Sequence, residues 1–188
     1  MKLGVYVGSF NPIHKGHIGI VRYLINKKIL DYVIIVPTDG YWNKTDLLDL
    51  NHRINMIKTY ENDNIIVDTE LNELPYTYLI LNKLEEKYPL DELHLIIGSD
   101  NLKQFSKWKN IDEIFKHKIV VINRNNYNSE ELINKHNFNN EVFKVIDNPF
   151  KYNYNSTEIR KKLKNNLNVE KYLDDEIILY IKEYGLYE

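Results

Sequence analysis

The sequence contains no cysteine, which excludes disulfide bridges, thiolate metal centres and a cysteine nucleophile. It carries no excess of basic charge. A net charge of −2 and a pI near 6.3 give no electropositive field for nucleic acid or an anionic membrane. It also lacks a long apolar run. The start offers only Lys2 and a short apolar stretch, residues 3–7, well below what a signal peptide or a membrane span requires. A soluble cytoplasmic protein is expected, with neither nucleic acid nor membrane as partner. No internal repeat and no linker interrupts the 188 residues, so one domain over 1–188 with a proper core is expected. Asparagine-rich residues 123–128 read as a loop, because apolar periodicity resumes on both sides.

What is present is an alternation of two patterns. Apolar runs at residues 3–7, 32–36, 65–67, 93–97, 119–122 and 142–146 predict strands. Helical spacing predicts helices over 18–28, 51–60, 76–88, 158–163 and 176–184, with a loop or short helix from 99 to 108. Strands separated by helices imply an α/β fold: a Rossmann-like, doubly wound parallel sheet with helices on both faces and a C-terminal helical segment. Ligands bind such sheets at the carboxyl ends of the strands, where strand order reverses. The first and fourth strands end in Gly8 and Gly98, each followed by polar residues. If these strands are neighbours, their loops face one crevice.

The densest stretch is G-S-F-N-P-I-H-K-G-H, residues 8–17. It lacks the spacing of the dinucleotide fingerprint and the Gly-Lys-Ser/Thr end of a P-loop. It joins a strand to a helix, and a helix N-terminus offers unpaired N–H groups to a phosphate. His14 and His17 add imidazole donors there, and Gly16 removes a side chain where a phosphate would meet the backbone. A second stretch, Tyr154 to Arg160, reads as ordinary capping by Asn155 or Ser156. Taken alone, capping is the commoner meaning of such a stretch; the functional reading is a triphosphate clamp made by Ser156, Thr157 and the Arg160 fork. In the third stretch Gly98 would let an adenine approach the backbone and Asp100 would accept from ribose hydroxyls. Trp108 either fills core or offers a stacking surface.

Taken together, the G-S-F-N-P-I-H-K-G-H and N-S-T-E-I-R stretches resemble the HxGH nucleotidyltransferase superfamily. Gly98-Ser-Asp-Asn-Leu with Trp108, Pro75-Tyr76-Thr77, Arg124 after the fifth strand, and the Tyr180-Ile181 to Gly185-Leu186-Tyr187 ending are similar to its bacterial nicotinate (nicotinamide) mononucleotide adenylyltransferases. Lys44 matches the basic residue of that family's loop after the second strand. Ser9, Asn11, Pro75, Ile80 and Asn155 depart from the usual residues, and those around Tyr76 fall near the relatives' pyridine pocket. Phosphopantetheine adenylyltransferases share the Gly-Ser-Phe turn. They have a threonine at the first histidine and lack the Trp108 context.

The resemblance implies AMP transfer from ATP to nicotinate mononucleotide, giving the dinucleotide precursor of NAD and pyrophosphate. Nicotinamide mononucleotide adenylyl transfer and phosphopantetheine adenylyl transfer are the alternatives within the superfamily, and a non-catalytic nucleotide sensor the alternative of another class. The implied roles follow by position. His17 donates to the α-phosphate and His14 to the bridging region, while Ser156, Thr157 and Arg160 hold the β and γ oxygens. Gly8, Ser9 and Phe10 supply backbone amides, and Gly98, Asp100 and Arg124 take the adenosine side. Trp108 stacks on the pyridine, Thr77 and the Lys109 backbone lie near its carboxylate, and Lys44 closes over the substrate. Mg²⁺ is expected to arrive with ATP, since no carboxylate cluster has metal-ligand spacing. A homo-oligomer stays open.

Overall fold

A computed structural model describes residues 1–39, 47–124, 128–150 and 154–188. Six strands form one parallel sheet: β1 (Lys2–Gly8), β2 (Tyr32–Pro37), β3 (Ile65–Val67), β4 (Glu92–Gly98), β5 (Lys118–Ile122) and β6 (Phe143–Ile146), in the order β3-β2-β1-β4-β5-β6. Every strand pair is parallel. That order reverses between β1 and β4, the two strands that end in Gly8 and Gly98. Their adjacency, expected from the sequence, is what the sheet shows.

The strands alternate their apolar residues between two layers, as a period of two requires. Tyr6, Val33, Ile35, Ile96, Val120 and Ile122 face one core. Val5, Ile34, Val36, Leu95, Ile97, Ile119 and Val121 face the other. The first layer is covered by α1 (Lys15–Asn26), α2 (Leu50–Lys58), α7 (Ser156–Lys164) and α8 (Asp175–Glu183). The second is covered by α3 (Thr77–Lys87), α4 (Ser99–Phe105), α5 (Ile111–Ile114) and α6 (Ser129–Lys135). Because both faces are buried, β2 and β5 read as continuous apolar runs.

Several boundaries differ from the sequence expectation by a few residues; Val142, for one, lies in a 3₁₀ turn (Asn140–Val142) ahead of β6. Helix α1 begins at Lys15, three residues before Ile18, where apolar spacing becomes visible. Helix α4 ends at Phe105, and Trp108 follows it in a turn. Helices α5 and α6 were not anticipated; at four and seven residues they are too short to display a helical period.

Candidate active site

The turn after β1 carries the site, and α1 shows how it is built. His14 is the N-cap, with extended backbone (φ −144°, ψ 167°). Its Nδ1 accepts the backbone N–H of His17 at 3.2 Å, and the Nδ1 of His17 accepts the backbone N–H of His14 at 3.3 Å. This is a capping box made from two histidines. The rings stack at 3.5 Å between centroids and 11° between planes.

That reciprocity fixes chemistry as well as geometry. A backbone N–H can only donate, so both Nδ1 atoms must carry lone pairs. Each neutral ring therefore holds its proton on Nε2. Two stacked imidazolium ions would also repel at this spacing. The pair is neutral, with both Nε2–H donors on the ring edges turned away from the helix backbone.

The surroundings agree. His14 is 1% exposed, and burial, reinforced by the Arg124 charge, brings its pKa down to about 3. Burial, then His14, then Arg124 hold His17 well below the ordinary histidine range. Burial likewise lowers His94 and His117. The sign follows directly. Below about pH 6.5 the unfolded chain binds protons that the folded chain refuses, so stability falls as pH falls; for His14 the slope approaches about 1.4 kcal/mol per pH unit between pH 6.5 and its folded pKa of about 3. Thermal melts of the unliganded protein should therefore shift downward from pH 7 to 5.5. His14→Asn, which can still cap, should lose less over that range; an unchanged slope would contradict the buried neutral state of His14.

Aromatic side chains fix His17 from below. Phe10 is buried and lies edge-on to His17 at 5.1 Å and to Tyr6 at 5.3 Å. Its backbone is left-handed, φ 45°. Tyr154 stacks on His14 at 5.8 Å, and a Cβ at Gly16 would lie 2.5 Å from Cβ of Tyr154. In this structure the missing side chain of Gly16 makes room for that tyrosine; the sequence had assigned the space to a phosphate. His14, Gly16, Ile20, Arg124, Asn148, Phe150 and Tyr154 line one cleft.

Helix α7 docks on the same turn. Asn155 caps it, accepting from the amides of Thr157 and Glu158, so the capping reading is realised. The next residues reach further. Ser156 Oγ donates to the carbonyl of Pro12 at 3.2 Å, and Arg160 Nη1 to that of Asn11 at 2.8 Å. Arg160 Nη2 also reaches Thr157 Oγ1 at 3.4 Å. The C-terminal segment joins them, with Tyr187 OH donating to Asn11 Oδ1 at 2.7 Å. Ser156 and Arg160 thus dock on the turn that carries the two histidines, from chain positions more than 140 apart, with Thr157 beside Arg160.

Across the β1–β4 boundary, Gly98 caps α4 without a side chain. The volume a Cβ would take there is filled by the Asp100 carboxylate and the Arg124 side chain, so an adenine resting on this backbone would displace them. Ser99 Oγ accepts the Arg124 N–H at 2.8 Å, holding the start of α4 against the end of β5. Trp108 is half-buried, 4.8 Å from Phe105 in the second core layer, with Lys109 exposed beside it. Thr77 opens α3, half-buried. Lys44 lies outside the described residues.

With this geometry in hand, comparison with known proteins is decisive. A family model described as cytidylyltransferase-like matches residues 5–162. A Flavobacterium johnsoniae protein named probable nicotinate-nucleotide adenylyltransferase is 33% identical over 100% of both chains. The chain belongs to the cytidylyltransferase-like family, among its nicotinate-nucleotide adenylyltransferases. A Clostridium tetani relative of the same name is 32% identical, covering 99% of this chain and 98% of its own. Among solved structures, Plasmodium falciparum nicotinic acid mononucleotide adenylyltransferase complexed with NaAD has a TM-score of 0.83 at 24% identity, over 99% of this chain and 97% of that one. That likeness is one of fold.

Against this nucleotidyltransferase frame, sequence reasoning missed one residue above all. Arg53 on α2 is fully buried and bonded to three loops around the site. A signal existed, since position 53 falls three and four residues before Met56 and Ile57, on the apolar face of the helix. A charged residue on such a face is unexpected unless it is paired.

Proposed function

We propose that the chain transfers AMP from ATP to nicotinate mononucleotide, releasing pyrophosphate and forming the dinucleotide precursor of NAD. The observation that carries the reading is the paired neutral imidazoles at the head of α1, their Nε2–H donors presented beside Arg124 while Arg160 docks on the same turn. The 5′-phosphate of the mononucleotide attacks the α-phosphorus in line. Its second ionisation lies near ~6, so it is already a dianion at neutral pH. Neither a strong general base nor a protein nucleophile is needed. The chain's task is to hold two repelling phosphates in line and to stabilise charge moving onto the departing pyrophosphate.

In this reading His17 donates to the α-phosphate and His14 to the bridging region, without any change in their protonation. Ser156, Thr157 and Arg160 hold the outer phosphates. Gly8, Ser9 and Phe10 contribute amides, and Gly98, Asp100 and Arg124 take the adenosine. Mg²⁺ enters with the triphosphate. Among the described residues no group of three or more His, Asp or Glu side chains is placed to hold a metal. No step is assigned to a resident ion.

Pyrophosphate release measured with nicotinate and nicotinamide mononucleotides side by side tests the reading. Turnover is expected with ATP and higher kcat/KM for the nicotinate form. No release with either would return the chain to the class of nucleotide sensors. On the pyridine side, Trp108 exposes part of a ring whose other part rests on buried Phe105, and in this reading Thr77 and the Lys109 backbone serve the carboxylate. Trp108→Ala should raise KM for the mononucleotide by about tenfold, the scale of one lost aromatic stack, with KM for ATP much less altered. Equal losses for both substrates would make Trp108 a core residue alone.

A further inference from the structure

Arg53 is 0% exposed, yet its donors go to acceptors that all lie outside its own helix. Nε donates to the carbonyl of Leu48, and Nη1 donates to the carbonyls of both Ser9 and Thr38, each at 2.8 Å. Nη2 pairs with the Asp39 carboxylate, which is itself 70% exposed. Four of the five N–H donors of the guanidinium are thus accounted for. They join the turn after β1, the segment after β2 and the entry to α2. Thr38 N–H also donates to the carbonyl of Gly8 at 2.9 Å, so the ends of β1 and β2 are fastened twice.

The peptide plane turns this anchoring into an orientation. In a trans peptide the C=O and the following N–H point in opposite directions. Holding the Ser9 carbonyl against Arg53 therefore directs the Phe10 N–H away from it. Phe10 sits in the left-handed region, which a non-glycine residue occupies only when its surroundings impose it. The Phe10 ring is held from the other side by Tyr6 and His17. Between the clamped carbonyl and the packed ring, the Phe10 amide has one direction left.

We propose that Arg53 is a positioning residue of the transfer reaction: by clamping the carbonyls of Ser9, Thr38 and Leu48 it aims the Phe10 N–H at the phosphates of bound ATP. This rests on the adenylyltransferase reading for its substrate. Arginine is required for shape as much as for charge, because lysine has a single point of donation and cannot span three carbonyls in fixed directions.

The test combines two variants with one measurement on the unaltered protein. Arg53→Lys keeps the charge and should lower kcat at least tenfold at a temperature where it is folded. Asp39→Asn loses only the exposed partner and should stay within threefold of the original kcat. In the unaltered protein, titration with Mg·ATP and no mononucleotide should shift the Phe10 amide resonance downfield, whether or not Arg53→Lys folds. Arg53→Lys that folds and turns over normally would overturn the proposal. So would an Asp39→Asn loss as large as that of Arg53→Lys, or a Phe10 amide unmoved at saturating ATP. A Phe10 shift with no pyrophosphate formed from either mononucleotide would instead keep the clamp and remove the reaction assigned to it.

Discussion

His17→Ala should lower kcat about a hundredfold or more, the usual cost of removing one donor aimed at charge that develops in the transition state. The local structure explains why the loss should fall on turnover. The Nδ1 of His17 is committed to the backbone N–H of His14 and its ring is braced by Phe10, so Nε2–H is fixed before any nucleotide arrives. A pre-aimed donor needs no reorganisation as the pentavalent phosphorus forms.

His14→Asn separates the two duties of that capping pair. Asparagine is among the best N-caps, and its Oδ1 can replace Nδ1 as acceptor for the His17 N–H. It has nothing in the place of Nε2–H. Melting should stay within about 1 kcal/mol of the original, the range between good caps, while kcat falls on the scale of His17→Ala. His14→Ala should lose the cap as well. If His14→Asn were as unstable as His14→Ala yet turned over normally, the imidazole would be structural.

Elements that announce themselves by period were legible in the sequence. The β-strands stand out as short apolar runs, the long helices show one apolar face, and two strands ending in glycine lie side by side in the sheet. The start of α1 was legible less well. Lys15, Gly16 and His17 bear no apolar pattern, so the helix became visible only at Ile18, although its cap lies at His14. The gathering of the site was legible only through resemblance. Tyr187 reaches Asn11 and Arg160 reaches the same residue, and nothing local in either stretch specifies that meeting. The Arg53 clamp was obscured for a different reason. An arginine is ordinarily solvated, and only its acceptors, which are backbone carbonyls without sequence identity, reveal where it goes.

Arg160→Ala should raise KM for ATP and lower kcat/KM by about a hundredfold if, as proposed, it removes the charge-assisted fork from the outer phosphates. In the structure the guanidinium is half-buried at the first turns of α7, with Nη1 on the Asn11 carbonyl and Nη2 near Thr157 Oγ1. Its loss also removes one hydrogen bond from a charged donor, about 1.5–3 kcal/mol of stability at most. The two effects part company in Arg160→Lys. Lysine keeps the positive charge beside the turn but cannot pair two oxygens in one plane, so stability should recover more fully than kcat/KM. Competitive inhibition by pyrophosphate supplies the independent measurement. If Arg160 grips the outer phosphates, both variants should weaken pyrophosphate binding in parallel with ATP. Unchanged pyrophosphate inhibition in Arg160→Ala would leave this arginine as a strut for Asn11, and the outer phosphates would have to lie against Ser156, Thr157 and the head of α1.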